Sequence, residues 1–168
     1  ISKYRYVVDV DIKGFFDNVD HGKLLKQLWT LGIRDKQLLC VLSKMLKAPI
    51  QGEGVPTKGV PQGGILSPLL SNVVLNELDW WIASQWEEFP QLQRYRSRPH
   101  YKGNGTLKQV YLVRYADDFK LFCKCRGDAE KIFAATTMWL KERLGMDISP
   151  GKSKIVNLKK GYSDFLGF

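Results

Sequence analysis

Two alternating runs meet at a polar tip two thirds of the way along the chain. Tyr111, Val113 and Tyr115 alternate with Leu112 and Arg114, and Phe119, Leu121 and Cys123 alternate with Lys120 and Phe122. Period-two alternation on both sides of a short break predicts strand, tight turn, strand, with Asp117 and Asp118 at the tip. Upstream, Tyr4 to Val10 predicts another strand, with Tyr4, Tyr6 and Val8 on one face, running out into Asp9 and Asp11. Helical spacing then takes over. Asp20 suits the N-cap of a helix that carries Leu24, Leu25, Leu28 and Leu31 and closes at Gly32. Asp35 suits the cap of a second, with Leu38, Leu39, Leu42 and Leu46 as its buried stripe and Pro49 as its stop. Residues 50–64 are rich in Gly and Pro and predict a loop or short hairpin. Ser67 as N-cap and Pro68 in the first turn open the strongest helix, along which Leu66, Leu69, Leu70, Val73, Val74, Leu78, Trp81 and Ile82 fall at helical spacing. Asp128 suits the cap of a last helix, with Ala129, Ile132, Phe133, Thr136, Leu140 and Leu144 inward and Gly145 at its end. Ile155 to Leu158 predicts a strand, and Phe165 to Phe168 the start of another.

That order of elements predicts an α+β domain over 1–168, an antiparallel sheet with helices packed on one face. A ferredoxin-like split βαβ topology would bring the end of the first strand beside the hairpin tip. Residues 86–109, polar, aromatic and basic around Gly103-Asn104-Gly105, read as an insertion or loop outside the core.

Charge narrows the function. The 168 residues hold 26 Lys+Arg against 17 Asp+Glu, a formal charge of +9, with 44% hydrophobic residues. A folded, strongly basic domain points to a polyanionic partner, nucleic acid first. No run reaches the roughly 20 apolar residues that span a bilayer, and no signal peptide is visible, so a cytosolic protein without a membrane partner is expected. Both ends read as cut, which predicts a piece of a longer chain. Cys40, Cys123 and Cys125 form no C-x-x-C pair and are expected reduced and packed, with Cys123 and Cys125 on one face of a strand. With only His21 and His100, a His/Cys zinc site is not expected.

Asp is common in turns for local reasons, so the two tip acids alone also describe a polar hairpin tip. A third carboxylate at another strand end changes that. If the topology holds, Asp11 lies next to Asp117 and Asp118, and carboxylates gathered so closely stay ionised only around a cation. Hard oxygen ligands suit Mg²⁺ or Mn²⁺. Two such ions about 3.5–4 Å apart serve phosphoryl or nucleotidyl transfer. Asp9 can share the face of Asp11.

Five segments carry a family resemblance. Val7-Val-Asp-Val-Asp11-Ile-Lys-Gly-Phe-Phe-Asp17-Asn-Val-Asp20-His21 resembles the first catalytic motif of reverse transcriptases, and Gly59-Val-Pro-Gln62-Gly-Gly-Ile-Leu-Ser-Pro-Leu-Leu the second. Arg114-Tyr-Ala-Asp-Asp-Phe119 resembles the third, Leu144-Gly-Met-Asp-Ile-Ser-Pro-Gly-Lys-Ser-Lys154 the fourth, and Phe165-Leu-Gly-Phe168 the primer-grip region. All five occur in order over nearly the whole chain. The wording is most similar to bacterial group II intron-encoded reverse transcriptase/maturases; retron, diversity-generating and CRISPR-associated enzymes are close relatives.

The resemblance implies a right-hand polymerase palm. It implies that Asp11 and Asp117 bridge two Mg²⁺ ions (Mn²⁺ as substitute), with Asp118 a weaker ligand and the Ile12 carbonyl completing one site. Phe16 would lie under the sugar of an incoming dNTP and reject a 2′-hydroxyl, with Phe15 the better core residue. Gln62 would contact the nucleotide or its template pair, and Gly63 and Gly64 would admit the template backbone. Lys152, or else Lys154, would assist the departing pyrophosphate as an acid. Phe165, Leu166 and Gly167 would hold the primer end. The implied partners are an RNA template, intron RNA, a DNA primer and dNTPs, and residues 86–109 could touch template RNA. Fingers and thumb fall outside the five motifs, so this stretch alone is expected to polymerise poorly. An RNA-binding splicing scaffold without chemistry, and a nucleotide cyclase, are the competing readings. Asp11, Asp117, Asp118 and Gln62 speak against the first, and the Pro-Gln-Gly loop and primer-grip segment against the second.

Overall fold

A computed structural model of the chain describes residues 4–50, 52, 54–61, 63–84 and 110–165. Four strands, β1 (Tyr6–Val10), β2 (Tyr111–Tyr115), β3 (Asp118–Cys123) and β4 (Lys154–Asn157), form one sheet in the order β2-β3-β1-β4. Every neighbouring pair is antiparallel. This is the ferredoxin-like split βαβ order expected from the pattern. β1 takes the interior because Val7, Val8 and Val10 are apolar on both faces and are all buried.

The helices are α1 (Phe15–Asn18), α2 (His21–Thr30), α3 (Lys36–Leu46), α4 (Ser67–Ile82) and α5 (Arg126–Trp139), the last running on into a wide turn over Leu140–Leu144. Val8, Val10, Phe119 and Leu121 of the sheet share one core with Leu24 and Leu28 of α2, Leu75 and Leu78 of α4, and Ile132 of α5. Trp81 and Trp139 stack with centroids 5.6 Å apart, where α4 meets α5. No helix among the described residues is long and apolar enough to cross a membrane.

Local signals placed most helix ends. The Asp20 carboxylate accepts from the Lys23 N–H, and that of Asp35 from the Gln37 and Leu38 N–H groups. Gly145, at φ 71°, ends the last helix with the paired bonds Met146 N–H to Leu140 carbonyl and Gly145 N–H to Lys141 carbonyl.

The structure corrects several expectations. Strand β1 starts at Tyr6 and β4 one residue early, at Lys154. One-turn α1, built between Gly14 in the left-handed region and extended Val19, has no sequence counterpart at helical period. Ser67 lies inside α4 and donates its hydroxyl to the Pro61 carbonyl, holding the preceding loop. Leu69 faces outward. Helix α5 begins at Arg126, and Asp128 sits buried in its first turn, where a carboxylate suits the helix dipole. Of the α3 stripe only Leu46 is buried, while Leu38 is exposed, because α3 lies at the rim of the helix layer. Cys123 is buried, whereas Cys125 lies beyond β3 and Cys40 on α3, both exposed. Burial, with the neighbouring Asp128 and Cys125, pushes the Cys123 thiol up to about 12. The strand expected from Phe165 to Phe168, residues 86–109 and His100 lie outside the described residues, apart from Phe165 itself.

Candidate active site

The strand register sorts side chains into rows across the sheet face that turns away from the helices, since antiparallel partners share a face. One row is Tyr111, Phe122, Val7 and Val156; the next is Val113, Lys120, Asp9 and Lys154. The third begins with Tyr115 and Asp118, and continuing the Val10–Phe119 pairing by one residue sets Asp11 beside Asp118. A cleft of about 230 Å³ opens there, lined by Asp9, Asp11, Asp118, Lys120, Lys152 and Lys154 among others. A larger apolar groove of about 400 Å³, between α3 and the start of α4, contains no ionisable side chain, so the chemistry belongs to the smaller cleft.

Asp11 is positioned through its backbone. Its N–H donates to Ser153 Oγ at 3.1 Å, and its carbonyl accepts from the Ser149 N–H at 2.8 Å. With the Lys13 N–H to Asp147 carbonyl bond of 2.8 Å, this makes Ile12 and Ile148 a bridge pair that exchange no bond of their own. In such a pair the N–H and carbonyl point away from the partner. The Ile12 carbonyl is therefore turned to the side of β1 on which β3 runs. Lys152 Nζ lies 3.7 Å from Asp11 Oδ1 on an exposed side chain. Lys154 lines the same cleft.

The hairpin closes through a two-residue turn, Ala116–Asp117, so Asp117 stands on the turn and Asp118 is the first residue of β3. The Asp118 carboxyl is held above its ordinary 3.8, mainly by burial; Lys120 opposes the rise, and the charges of Asp9, Asp117 and Asp11 add to it. A raised carboxyl binds its proton more tightly folded than unfolded. Stability therefore falls as pH rises from 3.8 through the folded value, and the penalty is fully present above that window. Asp118→Asn removes the charge, so the metal-free variant is expected to melt at a higher temperature than wild type at pH 7 and at the same temperature at pH 3. Differential scanning calorimetry at both pH values checks this; a lower melting temperature at pH 7 would contradict it.

Beneath the acids, Lys120 Nζ donates to Asp9 Oδ1 and to Ser163 Oγ, each at 2.6 Å, and Ser163 Oγ donates to Asp9 Oδ1 at 2.7 Å. The ammonium also lies 5.6 Å from the Phe165 ring centroid, within cation–π range. The Asp9 carboxylate is thus engaged by Lys120.

The remaining predicted residues divide. Phe15 is a core residue at 2% exposure, while Phe16 is partly buried and meets it edge-on at 5.2 Å. The 58–60 loop is sewn to α1: Gly59 N–H to Val19 carbonyl and Val60 N–H to Phe16 carbonyl, both 2.7 Å, with the His21 ring 2.7 Å from the Gly59 carbonyl. Gly59 has φ +97°, and a Cβ there would meet the backbone oxygens of Asp17 at 3.2 Å and Phe16 at 3.3 Å. Gly59→Ala is expected to destabilise the fold by about 2 kcal/mol or more in urea unfolding, from strained φ plus crowding; a loss under about 0.5 kcal/mol would show that the loop shifts freely. Gly63, at φ +79°, has nothing within 4 Å of a built Cβ, whereas Gly64 is closed in by Ser67 Oγ at 3.0 Å. Gly64 thus serves the chain's own turn, and Gly63 alone leaves open space. Gln62, Leu166 and Gly167 lie outside the described residues.

Among the described residues no three His, Cys, Asp or Glu side chains group closely enough to hold a metal. The structure brings Asp11 and Asp118 into one cleft and leaves Asp117 beside it on the turn. Such a donor set still fits Mg²⁺, which is held through one or two carboxylates plus substrate phosphates and keeps several waters. Like charges crowding Asp118 and a carbonyl turned outward at Ile12 are what a cation would satisfy. Sequence reasoning missed three participants: Ser153, the Lys120–Asp9 pair and the bonds of Arg114. A lysine inside an alternating strand, two residues past the acids, was the visible signal for the second.

The chain resembles known proteins along nearly its whole length. The family described as "Reverse transcriptase (RNA-dependent DNA polymerase)" matches residues 1–168. Protein YkfC of Escherichia coli is 32% identical over 99% of this chain and 47% of its own length. The group II intron-encoded protein LtrA of Lactococcus lactis is 29% identical over 98% of this chain and 34% of its own. The chain thus spans less than half the length of either relative. Apo telomerase from Candida tropicalis shares the fold, with TM-score 0.61 and 13% identity over 96% of this chain and 30% of that one. With residues 1–168 matched from end to end, this chain belongs to the reverse transcriptase family.

Proposed function

We propose that this chain is the catalytic palm of an RNA-directed DNA polymerase of the group II intron-encoded type, joining a dNTP to a primer 3′-hydroxyl on an RNA template. The observation that carries the reading is that Asp11 and Asp118 line one cleft just beyond the Val10–Phe119 pair, with Asp117 on the hairpin turn beside it. Membership of the family implies use of a divalent metal. In our reading the ion is Mg²⁺, two per site, with Mn²⁺ as substitute. Asp11 and Asp117 would hold the metal, with Asp118 assisting and the Ile12 carbonyl contributing. When bound, these ions neutralise phosphate charge and favour ionisation of the primer hydroxyl.

The chain's own residues do the rest. Phe16 carries the sugar of the nucleotide and disfavours a 2′-hydroxyl. Gln62 contacts the nascent pair, and Gly63, with its open Cβ side, admits the template backbone; Gly64 supports the same turn. Lys152, 3.7 Å from Asp11, holds a proton within reach of the departing pyrophosphate, with Lys154 as its alternative. Phe165, Leu166 and Gly167 grip the primer end; the Phe165 ring centroid lies 5.6 Å from the Lys120 ammonium. The formal charge of +9 draws the RNA template, the DNA primer and the intron RNA whose splicing the parent protein assists, in the bacterial cytoplasm.

Primer extension on an RNA template with Mg²⁺ and dNTPs, by the protein at its natural length, tests the reading. Wild type extends and Asp117→Ala/Asp118→Ala does not. RNA binding without extension by either protein would replace it with the splicing-scaffold reading.

A further inference from the structure

We propose that Arg114 is a positioning residue for Asp117: its guanidinium, seated on α4, grips the carbonyl of Ala116 and so holds the left-handed turn that carries the carboxylate. The inference rests on the polymerase reading above, in which Asp117 is catalytic.

Arg114 lies on the helix side of edge strand β2, where it alternates with exposed Val113 and Tyr115. Its side chain is 11% exposed and makes four hydrogen bonds. Nε and Nη2 donate to the two oxygens of Asp79, a bidentate pair. Nη1 donates to Asn72 Oδ1 at 2.9 Å and to the Ala116 carbonyl at 2.7 Å. Asn72 and Asp79 stand two helical turns apart on one face of α4, and between them Leu75 and Leu78 are fully buried. The guanidinium is thus referenced to the core.

The turn it grips needs holding. Ala116 has φ 52° and is the one non-glycine residue with positive φ among the described residues. A Cβ in that region crowds the following carbonyl, and such conformations persist where the surroundings over-determine them. The bond from Arg114 to the carbonyl of the strained residue itself supplies that determination. Asp117 is the next residue, so relaxation of Ala116 would swing its carboxylate. Arg114 reaches this turn from the sheet face opposite the acids, and acts only through the backbone. Lysine could keep the charge pair with Asp79 but lacks the fork that serves three partners at once.

The test compares wild type, Arg114→Lys and Arg114→Lys/Ala116→Gly, at natural length and well below their melting temperatures. Arg114→Lys is expected to lower kcat for primer extension by about 10- to 100-fold, the scale of a reacting group misplaced by about 1 Å. The dNTP KM is expected to move less than about threefold. In the metal-free protein, amide hydrogen exchange at Asp117 and Asp118 is expected to quicken by about tenfold or more as the turn opens locally. Ala116→Gly, which frees the left-handed region of its steric cost, is expected to restore kcat of the lysine variant by about fivefold. Retention of kcat within about twofold, unchanged exchange, or no rescue by glycine would overturn the proposal. An inactive wild type would overturn the polymerase reading instead; the exchange measurement still decides whether Arg114 holds the turn.

Discussion

Asp11→Asn is expected to lower the rate of RNA-templated primer extension by about a thousandfold or more while leaving unfolding nearly unchanged. Charge stabilisation by metal ions is worth several kcal/mol of transition-state energy, and each ~1.4 kcal/mol is a factor of ten. Asparagine keeps the shape of the side chain but loses the negative charge that holds a cation. The fold has little at stake in that charge. Asp11 is tied to Ser149 and Ser153 through its backbone N–H and carbonyl, which the substitution preserves. Among the described residues its carboxylate meets only the exposed Lys152, at 3.7 Å, a surface pair worth roughly 0–1 kcal/mol. Extension rates and urea unfolding on the same preparations separate the two effects. A variant that keeps more than about a tenth of wild-type activity would remove Asp11 from the catalytic set.

Lys120→Met is expected to destabilise the protein by about 3–5 kcal/mol, the cost of breaking a buried ion pair by removing one partner. The Lys120 and Asp9 side chains are 6% and 13% exposed and meet at 2.6 Å. Methionine fills the space of the lysine stem but leaves the Asp9 carboxylate facing an apolar neighbour, with Ser163 as its remaining donor among the described residues. The double variant Lys120→Met/Asp9→Leu removes both charges and is expected to recover most of the loss, since apolar replacement of a whole buried pair is often neutral or stabilising. Equilibrium urea unfolding of both variants checks this; a single variant within about 1 kcal/mol of wild type would show that Asp9 reaches water. The pair sits one row behind Asp118, and Lys120 opposes the rise of the Asp118 carboxyl. Losing Lys120 therefore also pushes that carboxyl further up.

Much of this architecture is written in short-range pattern. Asp20 and Asp35 cap their helices because a side-chain oxygen three residues from a free N–H needs no distant partner. The hairpin alternation around Asp117 and Asp118 survives because Phe119, Leu121 and Cys123 of β3 are buried on the helix side, with Leu112 and Arg114 of β2 half-buried beside them, which penalises a one-residue slip. Where two local signals competed, the sequence was ambiguous. Ser67 and Asp128 both look like caps, yet one bonds backward to Pro61 and the other lies inside a first turn. Leu38 fits the helical stripe of α3, but a period marks only a face, and the exposure of that face depends on what packs against it.

By itself, then, the sequence determined most of the element types, the antiparallel α+β class, the five motifs and the three acids on which the chemistry is expected to turn. Tertiary structure alone decided how those acids are held. The pairing of Val10 with Phe119, across more than a hundred residues, sets Asp11 beside Asp118. The serine that orients Asp11 is 142 positions away, the lysine that engages Asp9 is 111 away, and the aspartate that seats Arg114 lies on a helix 35 residues upstream. None of these contacts has a period or spacing along the chain. Each exists because strand order and helix packing bring together polar groups that, once removed from water, must find one another.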